Sequence, residues 1–374
     1  MGVPFLDLRA QSAEIAAEVE PAVLEVLRSA GFVGGPHVAA FEQAYAGFVG
    51  VRHAVGVGNG TDAVELALRA VGVGPGDEVI MPANTFIATA EAASRIGAVP
   101  VPVDVDPVHL LIDPAAVEAA VTDRTRAIVP VHLFGQVAPV ELLQPIADRA
   151  GIPIVEDGAQ SQGATRHGQP AGSLGVIAAT SFYPGKNLGA SGDAGAVTTD
   201  DDDLARHVRL TANHGSITKY HHETIGMNSR LDAIHAITLT AKLARLTRWN
   251  TLRQQAADRY TQLLAGIPGI TVPTSMPGNS DVWHLYVIQT DNRDRILDHL
   301  TQAGIGAGLH YPQPWHLTDA YTHLGHHPGT CPVAEHAASR ILSLPMYPHL
   351  TTDQQQQVAD TLHTAVTAGA SVAR

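Results

Sequence analysis

Between about residue 53 and residue 200 the chain alternates short, β-branched apolar runs with Ala-rich stretches of helical spacing. The runs HAVGVG, DEVIMP, VPVPVDVD, AIVPVHLFG, IPIVEDG, VIAATSFYP and AGAVTTD are apolar without a break, the pattern of strands buried on both faces of a mostly parallel sheet. TDAVELALRAV, ATAEAASRIG and PVELLQPIADRAG, lying between them, predict helices packed on that sheet, an α/β architecture. Further on, NSRLDAIHAITLTAKLARLTRWNTLRQQAADRYTQLLAG predicts one or two long helices, with Asn228 or Ser229 able to cap the start. WHLYVIQT alternates like a half-buried strand, NRDRILDHLTQAG follows as a helix, and IGAGLHYP reads as a second strand. The expected layout is a large domain over 1–250, beginning with a short extended segment and an amphipathic helix, and a smaller C-terminal α+β domain over 251–374.

Composition narrows the partners. At 374 residues, 45% hydrophobic and 16% charged, the chain can bury the cores of two domains. A formal charge of −13 argues against nucleic acid or an anionic membrane surface, yet leaves room for a small anion held locally. The single cysteine, Cys331, excludes an internal disulfide and fits a reducing compartment. No run approaches the ~20 apolar residues of a membrane span. MGVPFLDLRAQ lacks the basic and apolar parts of a signal peptide, so a cytoplasmic protein is expected. Histidine is abundant, with pairs at His221/His222 and His326/His327, but zinc-site spacing is missing and no metal is expected.

In open α/β sheets ligands sit beyond the carboxyl ends of the strands, so the residues after each run carry the chemistry. After HAVGVG, Gly58 and Gly60 permit a tight turn and Thr61 opens a helix, whose free N–H groups suit a phosphate. A dinucleotide fingerprint is disfavoured there: its third glycine would fall on Thr61, and the acidic candidate, Glu78, precedes the next strand instead of ending it. Asp157 ends IPIVED. Lys186, one of only three lysines with Lys219 and Lys242, lies in SFYPGKNLGASGDAG, with Ser181 just upstream and no acidic residue before Asp193. Taken singly, Asp157 would serve as a helix cap, Phe86 as core, Ser181 as a strand-end hydroxyl and Lys186 as a loop lysine. Their order on successive strand ends suits pyridoxal 5′-phosphate, which needs a phosphate cradle, an Asp for its pyridine nitrogen and a Schiff-base lysine. Such a lysine must shed a proton from an ordinary pKa near ~10.4, and an apolar loop disfavours the ammonium. Phe86, in NTFIATAEA, can lie on the ring face.

The strings VEDGAQSQGA, SFYPGKNLGASGDAGAVTTDD, GMNSRLDAIHA, GLHYPQPWHL and LSLPMYP closely resemble the sugar aminotransferases of the DegT/DnrJ/EryC1/StrS family, within fold-type I pyridoxal phosphate enzymes. The resemblance runs from PFLDLRAQ to LSLPMYPHLT. It implies a mostly parallel sheet sandwiched by helices with a smaller C-terminal α+β domain. It also implies Lys186 as the Schiff-base lysine, Asp157 at the pyridine nitrogen, Gln160 near the ring hydroxyl and Phe86 stacked on the ring. Gly60, Thr61 and Ser181 would hold the phosphate, joined by Asn228 from the partner subunit of a homodimer with shared active sites. His310, Tyr311 and His316 would lie beside the sugar nucleotide. Relatives with His in place of the lysine are sugar dehydratases, so Lys186 points to transamination. PGKNLG followed by GDAG is similar to members acting at sugar C3, whereas many C4 enzymes continue with EGG; Ser191 stands where relatives often carry a larger apolar residue. The resemblance therefore implies amination of a nucleotide-diphospho keto sugar, a dTDP-3-oxo-deoxyhexose, with L-glutamate as donor. The alternatives are a C4 aminotransferase, a sugar dehydratase, or a cofactor-binding regulator without turnover, though no basic helix-turn-helix segment supports a DNA-binding role.

Overall fold

The apolar runs become the central sheet of the computed structural model, which describes residues 2–370. Two helices, α1 (Leu8–Ser29) and α2 (Pro36–Val49), precede β1 (His53–Val57), α3 (Gly60–Ala70), β2 (Glu78–Pro82), α4 (Ile87–Arg95), β3 (Val99–Val103), α5 (Pro114–Ala120) and β4 (Thr125–Ile128). There follow α6 (Val140–Ala150), β5 (Val155–Asp157), the short hairpin β6 (Thr165–Arg166) and β7 (Gln169–Pro170), β8 (Ile177–Ser181), β9 (Gly195–Thr199), α7 (Asp202–Ala212) and α8 (Ala233–Leu264). The remainder holds β10 (Asn279–Ser280), β11 (Tyr286–Gln289), α9 (Arg293–Gln302), α10 (Pro332–Ala338), β12 (Ile341–Leu344) and α11 (Thr352–Ala370).

Parallel ladders join β3 to β2, β2 to β4 and β5 to β8. Parallel bridges at Ile128–Ile154 and Val131–Asp157 unite the two halves, giving the order β3-β2-β4-β5-β8-β9-β1, in which β9 alone runs antiparallel to both neighbours. Side chains alternate between the faces. Val79 and Met81 of β2 pack with Leu66 and Leu68 of α3, while Ile80 between them packs with Leu143 and Ile146 of α6. Both faces are covered by helices, which is why the strands read as continuous apolar runs and not as alternating ones.

Three features depart from the sequence expectation. The long helix starts at Ala233, not beside Asn228 or Ser229, because that stretch is extended: Asn228 bridges Asn213, Ala233 N donates to Phe32 O, and the Ser229 hydroxyl accepts from Gly58 N at 2.9 Å. Once begun, α8 runs 32 residues without interruption, so the division expected at 250/251 falls inside it. Its far half packs Tyr260 and Leu264 into the smaller core with Tyr286, Leu300, Leu362 and, from the other end of the chain, Val3. Finally, IGAGLHYP, expected as a second strand, forms none and makes only single bridges at Ile305 and Gly308; β11 pairs antiparallel with β12. ILSL is fully buried, whereas glycines at 306 and 308 interrupt the other segment. No helix among the described residues is long and apolar enough to cross a membrane.

One buried carboxylate anchors the sheet beneath its active edge. Glu156 has no exposure, and accepts from the main-chain N–H of Gly172, Leu174 and Gly175 at 2.7–2.8 Å and from His132 Nε2 at 2.7 Å. His132 Nδ1 in turn accepts from Ala138 N (3.0 Å), so the ring proton is on Nε2. Burial pushes the Glu156 carboxyl up, but His132 and the amides outweigh it and hold the pKa below the ordinary value. Glu156→Ala leaves these donors buried and unpaired, and should cost about 3–5 kcal/mol of stability. Urea unfolding of the purified protein checks this; a midpoint equal to that of the wild type would show that the anchor carries no weight.

Candidate active site

Four strand ends converge on one cavity of about 540 Å³. The turn after β1 brings Gly60 and Thr61, the turn after β2 brings Phe86, β5 ends on Asp157 and β8 on Ser181; Lys186 lies in the loop that leads to β9. Asn59 caps α3 by accepting from Asp62 N at 2.8 Å, so the first N–H groups of the helix point out of the cap without intrahelical acceptors. Ser181 lies against this turn: a Cβ added at Gly60 would stand 2.5 Å from the Ser181 Cβ. Glycine is required there because of that close approach.

Asp157 is 5% exposed and both its oxygens are oriented, Oδ2 by the Thr89 hydroxyl (2.7 Å) and Oδ1 by Ala159 N (3.1 Å). Burial lowers the Lys186 pKa to about 8, against the opposing pull of the Asp157 charge. Gln160 is fixed between two elements, its Oε1 accepting from Phe134 N (2.7 Å) and its Nε2 donating to Tyr311 OH (3.1 Å). The Tyr311 ring lies 5.1 Å from that of Phe86, which is half exposed at the cavity mouth. His310 stacks on Phe5 at 5.6 Å and meets Ser343 Oγ at 2.9 Å; burial and the Lys186 charge lower its pKa to about 4, so it is neutral.

Of the residues singled out in the sequence, Gly60, Thr61, Phe86, Asp157, Gln160, Ser181, Lys186, His310 and Tyr311 all line this cavity. Two do not. His316 has a fully buried side chain that meets Glu335 at 3.2 Å, because the preceding Trp315 is drawn under the sheet by its bonds to Pro82 O and Ala83 O. Asn228 is exposed on the extended segment before α8, outside the cavity of its own chain. The structure adds Thr89, Tyr183 and His284 to the lining. Thr89 lies one helical turn beyond Phe86, a spacing readable in NTFIATAEA; His284, in WHLYVIQT, is nearly a hundred positions from Lys186 and carries no local signal.

The cavity suits pyridoxal phosphate. It offers uncommitted helix N-terminal amides with a serine hydroxyl for the phosphate, an oriented carboxylate for the ring nitrogen and an amine whose pKa is already depressed. Among the described residues lining it, Lys186 is the only lysine or arginine. The main chain therefore carries the anion-binding task.

The sequence profile of the DegT/DnrJ/EryC1/StrS aminotransferase family matches residues 13–363. The erythromycin biosynthesis sensory transduction protein EryC1 of Saccharopolyspora erythraea is 49% identical over 97% of this chain and 99% of its own. The dTDP-3-amino-3,4,6-trideoxy-alpha-D-glucose transaminase of Streptomyces venezuelae is 47% identical over 96% and 94%. The crystal structure of S. venezuelae DesV in complex with a ketimine intermediate superposes with a TM-score of 0.95 at 46% identity, covering 98% of both chains.

Gly60→Ala should weaken binding of pyridoxal phosphate by at least about tenfold, since the new methyl group forces the phosphate turn away from Ser181. Titration of the cofactor-free variant, followed by tryptophan fluorescence, measures it. An unchanged Kd would remove the phosphate from this turn.

Proposed function

The chain belongs to the DegT/DnrJ/EryC1/StrS aminotransferase family, and from that premise we propose that it aminates C3 of a dTDP-linked 3-oxo-deoxyhexose with L-glutamate as donor. It is a sugar aminotransferase whose cofactor is pyridoxal phosphate. The observation that carries the reading is the meeting of Lys186, Asp157 and the Gly60–Thr61–Ser181 turn in one cavity. The choice of C3 draws on PGKNLG followed by GDAG and on the printed activity of the Streptomyces relative. A regulator without turnover, as the name of the Saccharopolyspora relative suggests, would have no use for a buried amine of depressed pKa beside an oriented carboxylate.

Pyridoxal phosphate, when bound, supplies a carbonyl carbon that links to amines and a protonated ring that takes up the electron pair left when an α-proton departs. Lys186 anchors it and, once freed, takes the proton from the donor's α-carbon and returns one to the sugar carbon. With a pKa of about 8 rather than 10.5, a useful fraction of the amine is neutral near pH 7.5. Asp157 keeps the ring nitrogen protonated, and Thr89 and Ala159 N fix the direction of its oxygens. Gln160 would lie beside the ring hydroxyl and Phe86 would cover a face, while Tyr311 and His310 would face the sugar. Gly60, Thr61 and Ser181 hold the phosphate. The cavity walls are largely apolar, with Phe5, Leu6, Val64, Val131 and Met346 limiting the entry of water.

The second subunit completes the site in this reading. Asn228 follows a loop whose Ile217, Tyr220 and Ile225 are 53%, 83% and 93% exposed, an apolar segment suited to cover by another copy of the chain. Asn228 then reaches the partner's phosphate turn.

Two measurements test the assignment. Borohydride reduction of the holoenzyme followed by peptide mapping should place the cofactor on Lys186; an adduct on Lys219 or Lys242 overturns it. Asp157→Asn should keep the cofactor yet slow the single-turnover reaction with glutamate by about a hundredfold or more, since an amide cannot hold the ring proton; near-normal rates would reduce Asp157 to a structural role. For the shared site, Lys186→Ala and Asn228→Asp homodimers should each be nearly inactive. Their mixed dimer should regain about half the wild-type activity, because one of its two sites then carries neither lesion. No regain on co-refolding places both residues in one chain's site.

A further inference from the structure

The residue that follows the reactive lysine settles the position of a proton in the cavity. Asn250, on α8, donates from Nδ2 to the Gln162 carbonyl at 2.9 Å, which leaves its Oδ1 to accept from Asn187 Nδ2, also at 2.9 Å. Asn187 Nδ2 donates as well to the Val282 carbonyl at 2.9 Å. Both contacts require the amide nitrogen, so it is Asn187 Oδ1 that faces His284 Nδ1 at 3.2 Å. An amide oxygen only accepts. His284 therefore carries its proton on Nδ1, and its Nε2 bears a lone pair. Among the described residues that atom has no hydrogen-bond partner, it is not sealed in the interior, and His284 lines the cavity. Burial, then the charge of Lys186, then Arg253 and His310 hold the ring's pKa well below the ordinary value.

Several other acceptors of the cavity already hold a protein donor. The Asp157 oxygens hold Thr89 and Ala159 N, Gln160 Oε1 holds Phe134 N, and His310 Nδ1 is engaged with Ser343. We propose that His284 is a positioning residue for Lys186: a neutral imidazole, locked by Asn187 as a hydrogen-bond acceptor, whose Nε2 takes an N–H of the lysine amine whenever that amine is free. Fixing one N–H fixes the direction of the lone pair, which an amine acting as a base needs. The inference rests on the reading of Lys186 as the reactive lysine. Its cost is carried outside the cavity, by the Asn187–Asn250 pair on the wall of α8.

The test uses full-length protein carrying the aminated cofactor, the form in which Lys186 is free. In histidine-¹⁵N-labelled protein the His284 signals, identified by their loss in His284→Phe or His284→Gln, should show a neutral ring with its proton on Nδ1 throughout pH 6–8. A proton on Nε2, or a titration in that range, overturns the proposal on the wild type alone. The Lys186 pKa, read from the pH dependence of its acetylation by mass spectrometry, should fall by about one unit in His284→Phe, because the ammonium loses an acceptor in a dry site. His284→Gln, which offers an oxygen instead, should recover most of that shift. A Lys186 pKa identical in wild type and His284→Phe refutes the contact. Borohydride mapping of wild-type protein loaded with the aldehyde form of the cofactor keeps the outcomes apart: cofactor attached elsewhere than Lys186 defeats the underlying reading, whereas attachment at Lys186 with an unmoved pKa defeats only this one.

Discussion

The loop that carries Lys186 is held along one face of α8 by buried polar side chains at helical spacing. Thr238 meets the Ser191 hydroxyl at 2.8 Å, Lys242 donates to the Gly189 carbonyl at 2.7 Å, and Asn250 binds Asn187 at 2.9 Å. Gly192 passes so near His235 that a Cβ there would stand 2.8 Å from the ring. Leu188 and Ala190 of the loop pack into the core with Leu239 and Leu246 of α8, and the polar contacts fix the path of the small residues around them, so that Lys186 is kept out of water. The depressed pKa of the lysine follows from that placement, and so does its fitness as an amine near neutrality.

The same economy recurs wherever charge is buried. Lys242 and Arg253, three turns apart on α8, are 4% and 1% exposed, and among the described residues neither has a carboxylate partner. Main-chain carbonyls of Gly189, Trp283 and Met346 take their place, which ties three segments of chain to the helix without adding a negative charge near the cofactor site. On β5 two consecutive acids are separated by the pleat. Glu156 faces inward and is saturated by amides and His132; Asp157, on the opposite face, is oriented by only two donors and remains available to a ligand.

The strand-end residues were legible in the sequence because each ends an apolar run and adjoins a glycine or a helix start, as with Asp157 after IPIVE and Gly60 after HAVGVG. Lys186 stood out through its scarcity and its acid-free loop. What escaped was whatever depends on tertiary direction. His316 shares a short string with His310, yet the indole of Trp315 bonds beneath β2 and turns the next side chain toward Glu335. Ser229 has the composition of a helix cap, but its hydroxyl is claimed by Gly58, a residue 171 positions away. His284 lies two residues before β11, whose antiparallel partner β12 is distant in sequence, a pairing that no local pattern shows. The continuity of α8 across residue 250 was similarly hidden, since nothing in a helical pattern marks where one core ends and another begins.

That continuity bears on how such enzymes can be recombined. α8 carries the contacts of the lysine loop as far as Asn250, and beyond it supplies Ala256, Ala257, Tyr260 and Leu264 to the core that supports β11 and β12. At ~1.5 Å per residue the 32 residues form one rod of roughly 48 Å. A chimera with a crossover near residue 250 would sever Asn250 from Arg253 and place the two ends of one lever in different lineages. Exchange of sugar preference between relatives by swapping C-terminal halves therefore calls for junctions outside the rod, before Ala233 or beyond Leu264.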